Sequence, residues 1–298
     1  MNKPYLALFS AIVAVSFASI FILSVESAPP LSIAFYRLFF TTLLIFPFVL
    51  FKKKIRKEFR NIPLSTYLIM IIIGLILAAH FALWITSLTK TSVASSVILV
   101  TAHPIIVAPI SYFFLREKLS FINSIGITLS LVGVIILVWG NYGFPTMGID
   151  TLEGNILAML GGVAAGLYIL GGRKIRKTVS ILPYALVVYT VGTLMLFIIC
   201  LFFNAPVYNL SLKDYQIILL MALVSGIFGH TLYNWSLEYI RASVASVFLL
   251  GEPIGSSLLA YAIPWINQEP SIYTLIGGSI ILSGIYLTAR NMKEIEFL

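Results

Sequence analysis

Long apolar runs separated by short polar connections dominate this chain. Ten runs can be drawn, at about 4–24, 31–51, 65–87, 92–115, 121–140, 155–172, 181–203, 215–237, 243–265 and 272–290. A helix rises about 1.5 Å per residue, so about 20 apolar residues span the hydrocarbon of a bilayer. The pattern predicts an all-α integral membrane protein with ten transmembrane helices. The third and fourth runs are parted only by Thr89-Lys90-Thr91-Ser92, and the eighth and ninth only by Glu238 to Arg241. The first run follows Lys3 and ends near Ser24, the outline of a signal peptide. It is read as a retained helix because the repeat described below needs it.

Composition agrees with that pattern. Of 298 residues, 60% are hydrophobic and 10% charged, and the mean hydropathy is +1.03. A soluble domain carries about a quarter charged residues. One membrane domain is expected, with no soluble module. The net charge of +8 does not indicate nucleic acid, because the basic residues sit in short loops between apolar runs. They act instead as topology signals. If the N-terminus is inside, the inner segments hold sixteen of the nineteen Lys and Arg residues, leaving Lys90 and Lys213 outside and Arg37 within a span. Glu26, Asp150, Glu153 and Glu269 then fall outside, and Trp139 and Trp265 lie near outer helix ends. Ten spans with both termini cytoplasmic, in the cell membrane, are expected. Cys200, the single cysteine, lies in an apolar run and can form no internal disulfide.

The chain resembles itself at a spacing of about 150 residues. Ala82–Leu88 aligns with Thr231–Leu237, Pro104 with Pro253, and Gly126 and Gly133 with Gly277 and Gly284. Each copy holds five runs, so the second copy starts on the opposite side of the membrane. Two inverted five-helix repeats result, residues 1–140 and 155–298, joined by a loop at 141–154. Many secondary transporters use this architecture for alternating access.

The order of these features resembles the EamA-type transporters of the drug/metabolite transporter superfamily. The matching elements are the paired helices joined by a short break and the prolines within the fourth and ninth helices. The turn Leu115-Arg116-Glu117-Lys118-Leu119, the Gly-x6-Gly helix after it, and Pro30 followed by Tyr36-Arg37 also match. The first helix carries Ser16-Phe17-Ala18-Ser19 where the family often has Trp-Gly, and Asn267-Gln268-Glu269-Pro270 lacks the usual Gly-Glu. The resemblance implies export or exchange of amino acids or related metabolites. Nucleotide sugars and drug-like compounds are the alternative within the same superfamily.

Polar groups inside spans are the candidates for function, because a charge at a helix centre costs about 2.5–3.5 kcal/mol on insertion scales. Glu252 lies near the middle of the ninth run, just before Pro253, and its repeat mate His103 precedes Pro104. Proline loosens the helix at both points. Burial disfavours the charged form of a carboxyl, which suits Glu252 to proton exchange during transport. His80 and His230 occupy near-equivalent places, with Trp84, Tyr233 and Asn234 three or four residues on, hence on the same helical faces. Tyr168, in the Gly-rich sixth helix, is expected to point inward. These eight residues, His80, Trp84, His103, Tyr168, His230, Tyr233, Asn234 and Glu252, form the expected substrate site. The plainer alternatives are helix-to-helix hydrogen bonds for the histidines and Glu252, and interfacial anchoring for Trp84 and Trp235. Arg37 is read first as snorkelling outward or pairing with Glu26, and second as steering an anionic substrate. The small residues Gly161-Gly162, Ala164-Ala165-Gly166 and Gly171-Gly172 serve close packing, as do the Gly-x6-Gly helices, within one chain or across a homodimer.

No phosphate-cradling Gly-Lys-Ser/Thr loop is present, so ATP drive within this chain is not expected. The acids and histidines do not cluster at one interface, which argues against a membrane enzyme. No i,i+4 His pair indicates a metal, and no cofactor is expected. The expected partners are a small solute, protons and lipid, without nucleic acid. A non-transporting scaffold or sensor is the alternative of another class.

Overall fold

The computed structural model describes residues 3–91, 96, 99–142, 149–263 and 269–290. The described residues are built of helices. In chain order these are α1 (Lys3–Ser24), α2 (Pro30–Phe51), α3 (Lys53–Asn61), α4 (Leu64–Ser87), α5 (Pro104–Phe114), α6 (Phe121–Tyr142), α7 (Ile149–Arg176) and α8 (Ile181–Phe202). There follow α9 (Leu212–Met221), which runs on through a π-helical stretch (Ala222–Thr231) into α10 (Leu232–Ser236), then α11 (Ala242–Leu249), α12 (Glu252–Ala262) and α13 (Ile272–Arg290). Among the described residues, eight helical segments are long and apolar enough to cross a membrane. Two shorter apolar helices, Leu99–Phe114 and Phe121–Leu137, coincide with the fourth and fifth expected runs. Much of the fourth run's start, at 92–95 and 97–98, lies outside the described residues, as do Trp265, Asn267 and Gln268.

Large apolar side chains such as Phe9, Leu43, Phe48, Ile72, Ile198 and Leu258 face outward. In water they would be a liability; in lipid they are the solvent-facing surface. The interior is built where small residues let backbones meet. A Cβ at Gly133 would come within 2.7 Å of the Gly277 carbonyl oxygen, and one at Gly284 within 2.5 Å of the Gly126 carbonyl oxygen. Helices α6 and α13 therefore run antiparallel in direct backbone contact, fixed also by Asn123 Nδ2 donating to the Thr288 carbonyl at 2.8 Å. The Gly-x6-Gly helices thus pack on each other within one chain. Gly171 of α7 meets Ile73 of α4, and Gly162 meets the backbone of Leu99 and Val100. Helix α1 is packed into this bundle, with Leu8, Ala11 and Ser16 buried, as a retained helix requires.

Two elements were not legible in the hydropathy. The basic segment after α2 forms the helix α3, which was expected only as an inner loop. Its Ile55 and Phe59 pack against the main core, while Glu58 accepts from Ser180 N (2.7 Å) and Ser180 Oγ (2.6 Å) at the start of α8. The charges around the Leu115–Leu119 turn also do more than orient the chain. Arg173 Nε donates to Glu117 Oε1 at 2.7 Å, and Arg173 Nη1 to the carbonyls of Leu237 (2.7 Å) and Glu238 (2.8 Å). The other oxygen of Glu117 accepts from Ser111 Oγ (2.7 Å) and Ala242 N (2.9 Å). Arg176 Nη2 reaches Glu238 Oε2 at 2.5 Å and Arg176 Nε the Asn234 carbonyl at 3.0 Å. A buried ion pair endures only when its remaining hydrogen-bonding groups are satisfied, and here the loops supply those partners.

Candidate functional site

The two proline-bearing helices are broken at matching places. The run 99–114 is interrupted at Ala102-His103, and α5 starts afresh at Pro104. The second copy is interrupted at Leu250-Gly251, and α12 starts at Glu252. Proline fits a first helical turn because its missing N–H is one that the turn leaves unpaired anyway. Leu250 and Gly251 bond only three residues back, to Val247 (3.0 Å) and Phe248 (3.0 Å), so the chain bends without leaving the helical envelope. His103 and Glu252 are carried on the two helix starts that result.

Both face one cavity of about 80 Å³. Its wall also includes Val15 and Ala18 of α1, Arg37 of α2, His80 and Trp84 of α4, Ala165, Tyr168 and Ile169 of α7, and His230, Tyr233 and Leu249. Seven of the eight residues expected from sequence are thus brought together here. The eighth, Asn234, is corrected to one layer behind the wall. It donates through Nδ2 to Tyr168 Oη (2.5 Å), Tyr189 Oη (3.2 Å) and the His230 carbonyl (2.7 Å). The expectation assumed regular α periodicity from His230 onward. Leu232–Ser236 is α-helical after the π-helical stretch 222–231 and Tyr233 reaches the wall as expected, while Asn234 is held by the tyrosines of α7 and α8. The α4 counterpart of that stretch is regular over its whole length, so the feature belongs to one copy alone. Trp235 packs against Tyr239 with the rings tilted by 51° and centroids 4.9 Å apart, and is not part of the cavity wall.

The aromatic members lean on one another. The His80 ring is parallel to Trp84 with centroids 5.9 Å apart, and His230 meets Phe81 edge-on at 5.4 Å. His80 Nδ1 is 2.9 Å from the Gly161 carbonyl oxygen. If that nitrogen carries the proton, Nε2 is an acceptor.

Arg37 requires the largest correction. Its expected partner Glu26 is bonded to Lys213 Nζ at 2.5 Å instead. Arg37 is 2% exposed, and its Cζ lies 4.7 Å from the centroid of the Phe81 ring. It does not snorkel, because its helix is wrapped by α4, α8 and the π-helical stretch, and the side chain points inward to the cavity. Among the described residues no carboxylate lies within ion-pair reach of it. A cation over a ring is worth about 0.5–2 kcal/mol, less than the several kcal/mol that desolvating an unpaired ion costs. Arg37 Nη1, Trp84 Nε1, His103 Nδ1 and Tyr233 Oη are all buried without a hydrogen-bond partner among the described residues. Such orphaned polar atoms are uncommon in folded proteins. Four of the eight found among the described residues line this one cavity.

A largely apolar cavity with a few polar groups on its wall, enclosed by membrane-crossing helices of which two are broken there, is the layout of a multi-pass membrane transporter. The chain belongs to the EamA-like transporter family, whose model matches residues 3–139 and again 152–290. It is similar to the "Uncharacterized transporter YyaM" of Bacillus subtilis, 22% identical over 268 residues, covering 89% of this chain and 86% of that one. An "Uncharacterized transporter" of Archaeoglobus fulgidus is 29% identical over 204 residues, covering 67% and 68%. Among solved structures, one described as "Crystal structure of protein" superposes with a TM-score of 0.79 at 18% identity, over 97% of this chain and 96% of that one. That likeness speaks to the fold alone.

Proposed function

We propose that the chain is a secondary transporter of small metabolites, amino acids or related compounds, working by alternating access between two inverted five-helix repeats. The observation that carries this reading is the convergence of Glu252, His103, His80 and His230 on one buried cavity at the breaks of two helices. Inverted repeats have their sites at such breaks. The antiparallel contact of Gly126 with Gly284 and Gly133 with Gly277 is what a two-fold axis in the membrane plane requires of equivalent helices. The distribution of basic residues supports cytoplasmic termini, and the carrier is assigned to the cell membrane. Glu252 exchanges protons with solvent during the cycle and couples transport to them.

A cavity of about 80 Å³ favours a small metabolite over a nucleotide sugar or drug-sized compound, whose sites run to about 300–1,000 Å³. The aromatic wall suits an amphipathic solute. The test is uptake of a mixed labelled amino-acid pool into proteoliposomes holding the purified protein, against protein-free vesicles. Saturable, protein-dependent uptake is the expected result. Its absence would move the substrate to another class or favour a scaffold.

A further inference from the structure

We propose that Arg37 is the anchor for a carboxylate on the transported solute, and that the cavity selects small organic anions or zwitterions with an apolar, ring-sized body. The inference rests on the transporter reading and adds the chemistry its site would recognise.

Three observations converge. Arg37 is buried to 2% exposure on the cavity wall, its Nη1 has no partner among the described residues, and its guanidinium lies over the face of Phe81. Guanidinium is never neutral in a protein and its planar fork matches a carboxylate. Secondly, the other orphaned groups of the wall supply hydrogen to a ligand: Trp84 Nε1 can only donate, Tyr233 Oη has its own O–H, and His103 Nδ1 donates in one tautomer. Glu252 is the one acidic side chain on that wall. Those donors, grouped with Arg37, fit an anionic end. Finally, the rest of the wall is apolar or aromatic, through Val15, Ala18, Ile169, Leu249 and the His80–Trp84 stack.

Glu252 is the internal rival for Arg37. The two interact electrostatically but are not within ion-pair distance. A solute carboxylate would complete what that separation leaves undone, while Glu252 stays available to a proton or to a solute ammonium.

The experiment is thermal stabilisation of the purified full-length protein by four probes that share a ring: phenylalanine, 3-phenylpropanoate, phenylalanine methyl ester and 2-phenylethylamine. The wild type should be stabilised, dose-dependently, by the two carboxylates and not by the ester or the amine. Arg37→Gln should weaken the carboxylate response about tenfold or more, the loss of one charge-assisted pair. Arg37→Lys should keep the preference at reduced affinity, since it retains the charge and loses the fork. Equal stabilisation by acid and ester, no response to either acid, or an unchanged response in Arg37→Gln would each overturn the assignment. Should Arg37→Gln fail to fold, the wild-type probe series and Arg37→Lys decide. Amino-acid uptake without carboxylate preference would sink the anchor and leave the transporter standing. Carboxylate stabilisation with no uptake of any kind would do the reverse.

Discussion

The guanidinium of Arg37 lies over the ring of Phe81, 4.7 Å from its centroid, and makes no ion pair with any described carboxylate. The ring is also the neighbour of His230, so Phe81 braces two of the cavity's polar groups at once. Replacing Phe81 with Leu removes the π-face and part of a buried volume. A loss of about 1–3 kcal/mol is expected, read as a lower denaturation temperature in detergent. An unchanged temperature would mean that Arg37 is held by something other than the ring.

Glu252 is the acid on the cavity wall. Glu252→Gln keeps the shape and removes the proton. The variant should insert and fold as the wild type does while its transport no longer varies with pH. A variant whose rate still follows the wild-type pH profile would exclude Glu252 as the coupling group.

The glycine contact between α6 and α13 leaves no room for a side chain, since a Cβ at Gly277 would meet the Gly133 carbonyl oxygen at 2.6 Å. Gly277→Val should therefore cost about 1–3 kcal/mol or more, as overpacking does. Expression and thermal denaturation beside Gly277→Ala would measure it. The alanine variant should fall between valine and wild type, because its methyl is the group that already collides.

Removing the charge of Glu117 strands Arg173, whose Nε donates to it at 2.7 Å. Breaking a buried pair from one side costs about 3–5 kcal/mol. Glu117→Gln should lower stability severely, and Glu117→Gln with Arg173→Gln should recover part of the loss. A double variant as unstable as the sum of the two singles would show that the residues are not coupled.

Topology has a direct assay. Cys200 is buried, so labelling background is low. Single cysteines at Lys57, on the exposed face of α3, and at Tyr208, in the exposed turn after α8, should react with a membrane-impermeant maleimide from opposite sides. Labelling of both from one side would remove the basis for placing the termini in the cytoplasm.

The sequence revealed run lengths and the two proline sites clearly, because hydropathy and helix-breaking are properties of the local chain. Glu252 and His103 could be paired in advance by the prolines that follow them. What it could not convey is rotation. Helix α2 is apolar nearly all round, with Phe35, Leu38, Phe39 and Phe40 flanking Arg37. Without an amphipathic stripe nothing told whether Arg37 faced lipid, headgroups or a cavity. Its place six residues into the run suggested the interface, and its neighbours in three dimensions set it inward. Asn234 was misplaced for a related reason, since helical spacing gave its neighbours along the chain and not the hydroxyls of Tyr168 and Tyr189 that hold it. Arg173 and Arg176 were read as charges that orient loops and Glu117 as part of a family-like turn, which fits their position in sequence but overlooks their burial.

The Glu117 cluster ties distant parts of the chain together. Its carboxylate comes from the turn after α5, and its partners Arg173 and Ala242 come from beyond the stretch at 143–148. A polypeptide severed in that stretch would give one fragment holding a buried anion and another holding a buried cation. Neither could settle alone in a bilayer at low cost. Co-expressed, they should find each other, with the neutralised pair acting as the recognition element between fragments. The two family units of this chain are thus joined by electrostatic necessity as well as by the backbone.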